Sequence, residues 1–490
     1  MEFGGVAEYL EDKSIFVTGS TGFIAKIFIE KVLRTQPKVK KLFLLVRAKD
    51  DASAKNRVDA EVMQMDVFQI LREKYQEEFQ SFFWSKVQPV AGDIASENMG
   101  INDGELTDAL WKEIDVIVNL AADTSFLERY DVALSINTFG VKNVLEFAMK
   151  CVKLKKLLQV STAYVTRENS GIILEEPVVK AINGGPTLNA VEELKLAQAK
   201  LKELAEENAS EDTIKYSMRD LGMTRAHYFG WPNTYTLTKA MGELLCYDLI
   251  SRLPIVIFRP TMTISTCKEP FSGWIEGVRT IDELIASFAM GHTKGLPANV
   301  TTIVDLIPGD MVANAMIAIM ATHSGESSSA FIYQLGSSAH NPVTLEELSS
   351  VVYNYFLEKP YTKKDGSTIM VTKPYYISTM ALFQLYMAIG YKVPLQVMRL
   401  VGLLHSGMRS RYDHLNRIYN RALRVAKAYK HFAFFHGRFD DHNMQKLMLS
   451  MKEKDRELIP IDTKCIKWEE YMRSIHIPAV IKYGIKEKSK

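Results

Sequence analysis

Cysteine is scarce in this chain of 490 residues. There are four, Cys151, Cys246, Cys267 and Cys465, and no two stand at C-x-x-C spacing. That excludes a disulfide framework, argues against a zinc site and fits a reducing compartment. Charge of one sign is lacking too. The net charge is +2, so no global field draws the chain to nucleic acid. No uninterrupted apolar run reaches the ~18 residues of a membrane span. The nearest, "ISTMALFQLYMAIGYKVPLQVMRLVGLL" at 377–404, is divided by Lys392 and Pro394 and reads as core helices or an interfacial hairpin. The start, "MEFGGVAEYLEDKS", has neither a signal peptide's apolar core nor a transit peptide's Arg/Ser bias. The expectation is a chain kept on the cytosolic side. Internal repeats and low-complexity tracts are also missing.

What is present is an alternation. The length of 490 residues is enough for two or more domains with a sizeable core, and a hydrophobic share of 47% is ordinary for a globular protein. Short apolar strands at "SIFVTG" (14–19), "KKLFLLVR" (40–47), "VQPVAGDI" (87–94), "DVIVNLAA" (115–122) and "KLLQVSTAYV" (156–165) alternate with helical patterns such as 25–34, 54–76 and 141–151. "LPIVIFRPT" and "FIYQLGS" continue the series. Strands apolar on both faces, joined by helices, predict an α/β fold: a doubly wound parallel-sheet Rossmann domain. It is expected over residues 10–360, with a helical insertion at about 185–225 rich in Ala, Glu, Lys and Leu. Residues 361–490 read as a mainly helical C-terminal domain.

The turn "VTGSTGFIAK" follows the first strand. Its glycines let the backbone turn into a helix whose N-terminal N–H groups face a pyrophosphate. Val17 stands where a strict G-x-G-x-x-G would have its first glycine. The expected cofactor-binding residues here are Gly19, Thr21, Gly22, Phe23 and Ile24. Arg47, with Lys49 nearby, ends strand two where NAD binders place an acid, so a 2′-phosphate and NADPH are favoured. Asp93 and Ile94 after strand three should flank the adenine. Ala121 and Ala122 after strand four are small enough for close approach of the cofactor.

Tyr235 and Lys239 in "NTYTLTKAMGE" stand four apart, on one helical face. Hydride delivered to a carbonyl leaves an oxyanion that needs a proton. A phenol of pKa ~10 is a poor donor until a neighbouring ammonium lowers it. Lys239 suits that role and the nicotinamide ribose, and Thr162 suits the carbonyl oxygen. Asn137 is either an organiser of the cofactor site or an N-cap of the helix that follows. This reading ends at an NADPH-dependent carbonyl reductase; a ketone or sugar-nucleotide enzyme and a non-catalytic scaffold stay open.

Together, "TGSTGFIAK", "GDI", "NLAAD", "INTFG", "VSTAYV", "GWPNTYTLTKAMGE", "RPTM", "PFSGWIEG", "DLIPGDMVANAM", "NPVTLEEL", "FDDHN" and "HIPAVIKYG" resemble the alcohol-forming fatty acyl-CoA reductases, most closely the plant branch. The resemblance covers nearly the whole chain. It implies that a long- or very-long-chain fatty acyl-CoA is reduced by two NADPH, through a hemithioacetal and an aldehyde, to a primary alcohol for wax- or suberin-type lipids. It makes Tyr235 the proton donor, Lys239 its activator and Thr162 the oxyanion partner, with Arg259 and Thr261 near nicotinamide or substrate. It also implies peripheral association with the cytosolic face of the endoplasmic reticulum. The apolar 370–408 could wall an acyl tunnel or rest on a membrane. Arg409, Arg411, Arg417, Arg421 and Arg424 could meet a CoA phosphate or anionic lipid. No metal is called for.

Overall fold

Seven strands form one parallel sheet: β1 (Ser14–Thr18), β2 (Lys41–Val46), β3 (Val87–Ala91), β4 (Val116–Asn119), β5 (Lys156–Val160), β6 (Ile255–Pro260) and β7 (Phe331–Leu335). They lie in the order β3-β2-β1-β4-β5-β6-β7. The computed structural model describes residues 5–167, 170–181, 185–291, 295–322, 331–363, 365–401 and 406–485. The helices used below are α1 (Phe23–Thr35), α2 (Gly140–Ala148), α3 (Ala190–Glu206), α4 (Glu211–Tyr228), α5 (Thr234–Tyr247), α6 (Gly309–Thr322) and α7 (Ser406–Ala433).

Successive strand side chains point to opposite faces, and here both faces are covered. Ile15 and Val17 of β1 join the core under α1 and α6, while Phe16 between them stacks on Phe147 of α2, 5.3 Å away. α6 is buried from Gly309 to Ala321. A Cβ on Gly309 would lie 2.8 Å from Ile27, so the glycine lets α6 cross α1 closely. The strand order turns back between β1 and β4. The crevice at their C-terminal ends is where such sheets bind ligands.

The helices α3 and α4 share a core cluster around Tyr130, Leu204, Met218 and Trp231. Glu193 of α3 ties it together, accepting from Tyr130 Oη (2.8 Å) and from Arg225 Nη2 (2.6 Å). The tail does not stand apart. Met444, Leu447, Ile459, Trp468 and Ile477 enter the same core as β1 and α1. His436–Phe439 pairs in parallel with Ser170–Ile173.

Three sequence expectations change. The fifth strand stops at Val160, and Ser161–Val165 is a turn. The helix read over 54–76 is Asp51–Val58 and Gln69–Tyr75, with a π-helical turn at Asp59–Met63, because Met63, Val67 and Phe68 bend into the core. The apolar 377–404 is neither core nor hairpin within the described residues; 402–404 lie outside them. Met380–Met387 and Val393–Val401 are joined by a π-helical turn, the register shift expected where Pro394 interrupts the ladder. That run buries Phe383, Met387 and Leu395 and leaves most of its other apolar residues exposed.

Candidate active site

Gly19 has φ +64°, and a Cβ there would sit 2.7 Å from the Ala121 nitrogen. No side chain fits, so β1 and β4 approach and leave a backbone cradle. The Gly22 N–H closes the turn on the Gly19 carbonyl at 2.9 Å, and Gly22 opens α1. The free N–H groups of the first helical turn then face the cleft. Phe23 is buried on Trp274, ring centroids 5.2 Å apart. Thr21, Ile24, Asp93, Ile94, Ala121 and Ala122 border the same cleft, of about 850 Å³. Behind the strand ends that border it runs a buried polar ladder that the sequence reading missed. Thr18 Oγ1 donates to Asn119 Oδ1 (2.5 Å) and Asn119 Nδ2 donates to Gln159 Oε1 (2.7 Å). Its signal was there: one polar residue near the end of each of three adjacent apolar strands.

Arg47 lies exposed at the rim. Its carbonyl accepts from Arg57 Nη1 (2.7 Å), and Glu61 holds the Arg57 guanidinium at 2.6 and 2.8 Å. Two guanidiniums thus border this end of the cleft where the sequence offered one. Lys49 instead lies 4.0 Å from Asp50, away from the cleft. A glycine cradle, a helix N-terminus and arginines after β2 and on the helix that follows fit a dinucleotide cofactor.

α5 begins at an Asn233 cap, whose Oδ1 accepts the Thr236 N–H at 2.9 Å. It delivers Tyr235 and Lys239 to the cleft, opposite Thr162 on the turn after β5. The Thr162 hydroxyl lies close enough to the Tyr235 phenol to favour its charged form. Burial pushes that phenol up to about 12; Thr162 and the Arg279 charge pull it down and Asp123 raises it. The expected lowering by Lys239 is not seen. The Lys239 ammonium donates to the Val160 carbonyl (2.8 Å), and burial brings it down to about 8 against the opposing Glu243 charge. Arg279, absent from the sequence reading, is the cation acting on the phenol. The buried Ser161 hydroxyl borders the cleft without a partner among the described residues, a place for a ligand atom.

Asn137 does not line the cleft. It is no N-cap either, since it sits inside the π-helical turn Ser135–Phe139. Its Oδ1 accepts the Asp123 N–H (2.9 Å), and its Nδ2 donates to the Asp123 carbonyl (2.9 Å) and Thr238 Oγ1 (3.0 Å). It locks the loop after β4 to α5 from one layer behind.

An NAD-binding family model described as "Male sterility protein" matches residues 17–316, and a second of the same description, "Sterile", matches 390–487. "Probable fatty acyl-CoA reductase 4" of Arabidopsis thaliana is 47% identical, covering 98% of this chain and 99% of that one. "Alcohol-forming fatty acyl-CoA reductase" of Simmondsia chinensis is 42% identical over 98% and 99%. The chain belongs to the fatty acyl-CoA reductase family. Among solved structures, the reductase domain of a non-ribosomal peptide synthetase from Mycobacterium tuberculosis matches with TM-score 0.56 and 16% identity, over 98% of this chain and 94% of that one. The terminal reductase domain of the myxalamid pathway gives 0.51 at 17%, over 89% and 85%. These two likenesses concern the fold.

In this reductase Arg259 does not reach the cleft. It is buried, and its guanidinium takes Glu243 of α5 (2.6 to 3.2 Å), Tyr247 Oη (3.1 Å) and the Glu176 carbonyl (3.0 Å). It braces β6 against α5. Thr261, two residues on, does border the cleft, and its hydroxyl donates to Asp305 (2.9 Å). The opposite wall comes from α7. Phe432 stacks on Phe126 with centroids 5.0 Å apart, and Phe126 lies 5.9 Å from the Tyr235 ring. Tyr429 and Ala428 extend that wall. The Tyr235 phenol therefore faces an apolar, aromatic surface supplied nearly two hundred residues downstream.

Proposed function

We propose that the protein reduces long- or very-long-chain fatty acyl-CoA to the primary alcohol, using two NADPH and releasing CoA. The observation that carries this reading is the placement of Thr162, Tyr235 and Lys239 in one cleft with a glycine-turn cradle, facing the aromatic wall of α7. The polar side suits a reacting carbonyl, and the apolar side suits an acyl chain. The alcohol-forming relative supports the product.

Bound along the cradle, NADPH supplies the hydride. Thr162 holds the carbonyl oxygen and Tyr235 gives it a proton. A phenol near 12 is fully protonated at neutral pH, the form a donor needs. Lys239, still charged below about 8, anchors the site beside the Val160 carbonyl and is assigned to the nicotinamide ribose. The tetrahedral hemithioacetal expels CoA as the thiol and leaves an aldehyde. A second hydride and proton complete the alcohol, so each acyl-CoA consumes two NADPH and two protons. Arg47 and Arg57 favour NADPH over NADH.

The exposed apolar run 380–401 supports peripheral membrane association; among the described residues no helix is long and apolar enough to cross a bilayer. The endoplasmic reticulum's cytosolic face is the expected membrane, and wax or suberin the expected use. A tagged protein in the plastid stroma would refute that location. For the activity, purified enzyme is incubated with NADPH and acyl-CoAs of increasing length. Alcohol should form. Tyr235→Phe should abolish it while NADPH still binds. Absence of alcohol at every length would sink the proposal.

A further inference from the structure

The cleft holds more arginine than one cofactor uses. Arg47 and Arg57 stand at the β2 end, in the half assigned to the dinucleotide. Arg219 of α4 and Arg421 and Arg424 of α7 border the same cleft from elements that lie outside the nucleotide-binding sheet. Of the five basic positions singled out in α7, the cleft takes only these two; Arg409, Arg411 and Arg417 are not part of its lining.

Their surroundings are those of an unfilled anion site. Arg219 has a buried Nε with no hydrogen-bond partner among the described residues. Arg424 lies 5.3 Å over the Tyr216 ring of α4, so the insertion and the C-terminal helix meet at this group. Arg421 acts on Glu283 by charge, yet the hydrogen bond to that carboxylate comes from Tyr429 (3.3 Å). Among the described residues, Arg219, Arg421 and Arg424 form no ion pair, while Arg57, Arg225 and Arg259 each hold a carboxylate at 2.6 Å. Guanidiniums left without carboxylates beside an aromatic wall match the phosphates of an otherwise apolar substrate.

We propose that Arg219, Arg421 and Arg424 form the subsite for the phosphates of the CoA nucleotide, with α4 and α7 as its two jaws. This rests on the acyl-CoA reading above. The helical insertion and α7 thereby act together in recognising the carrier, while the aromatic residues further along α7 face the acyl group.

The test compares a long-chain acyl-CoA with the matching acyl-pantetheine thioester, which lacks the nucleotide and all its phosphates. Wild type should favour the CoA ester through KM. Arg421→Ala with Arg424→Ala should raise KM for acyl-CoA about tenfold per arginine removed, and the preference over acyl-pantetheine should collapse. Arg219→Ala should do the same in smaller measure, and Arg424→Lys should restore part of it. NADPH binding and the melting temperature report on folding. KM rising equally for both thioesters, or unchanged for acyl-CoA, would overturn the subsite. So would loss of binding to anionic phospholipid vesicles with acyl-CoA kinetics intact, which would assign these arginines to lipid headgroups. If wild type reduced no acyl-CoA, the activity reading would fail on its own. The subsite would then be read by calorimetry with adenosine 3′,5′-bisphosphate, NADP⁺ saturating the other nucleotide site. Weaker binding by the double variant supports it, and equal binding overturns it.

Discussion

The Lys239 ammonium donates to the carbonyl of Val160, 2.8 Å away. One bond thereby joins the helix of Tyr235 to the last residue of β5, next to Ser161 and Thr162. Lys239 is 3% exposed, and burial brings it down to about 8.

That value predicts a pH limb. If the charged form is the working one, kcat/KM of the free enzyme falls above about pH 8. Stability should move the other way. An unfolded lysine titrates near ~10.4. Between about 8 and that value the unfolded chain binds more protons than the folded one, so this group's contribution to stability rises with pH. Lys239→Met should remove both limbs and most activity. A kcat/KM profile flat through this window would contradict the assignment.

The proposed NADPH preference rests on the rim arginines. Arg47→Ala should lower the preference for NADPH over NADH by about tenfold to a hundredfold, read as the ratio of kcat/KM values. Arg57→Ala should act in the same direction, and it also frees Glu61. An unchanged ratio in both variants would show that the 2′-phosphate binds elsewhere.

The buried Arg259–Glu243 pair is a brace, and breaking it should cost stability before catalysis. Arg259→Met strands a buried carboxylate, a loss of about 3–5 kcal/mol by chemical denaturation. Adding Glu243→Leu should recover part of that loss. The KM for NADPH should stay near wild type in whatever fraction remains folded. A tenfold rise in KM with an unaltered denaturation midpoint would instead return Arg259 to the ligand.

What the sequence made legible were local signals. The glycine turn and the Tyr235–Lys239 spacing each lie within a few residues of chain, and backbone geometry alone aligns them. Arg279, Phe126 and Phe432 carried no such signal, because the sheet and α7 bring them to Tyr235 from far along the chain. Arg259 misled for a related reason. A strand-end arginine beside a cleft points to either face, and Glu243, buried on the far side of α5, decided which. Asn137 was ambiguous until its three hydrogen bonds showed the loop it holds.

The exposed run between Met380 and Val401 makes the last prediction. Leu385 is 55% exposed, Ile389 64% and Leu400 66%, while the buried Phe383, Met387 and Leu395 fasten the helix to the protein. Lys392 and Arg399 sit in the same run, suited to phosphate headgroups at the edge of the apolar strip. Such a helix lies in the interface, with binding set by apolar area plus attraction to anionic lipid. Replacing Leu385, Ile389 and Leu400 by serine should leave the fold intact, since none is buried. Each fully buried side chain of this kind is worth about 1.5–3 kcal/mol. Even partial insertion of three should make the loss of vesicle binding at least about tenfold. Flotation with phosphatidylserine-containing vesicles reads this directly. Equal flotation of the triple variant and wild type would mean that another surface meets the membrane. Activity on dispersed acyl-CoA should persist in the variant, which separates docking from the chemistry at Tyr235.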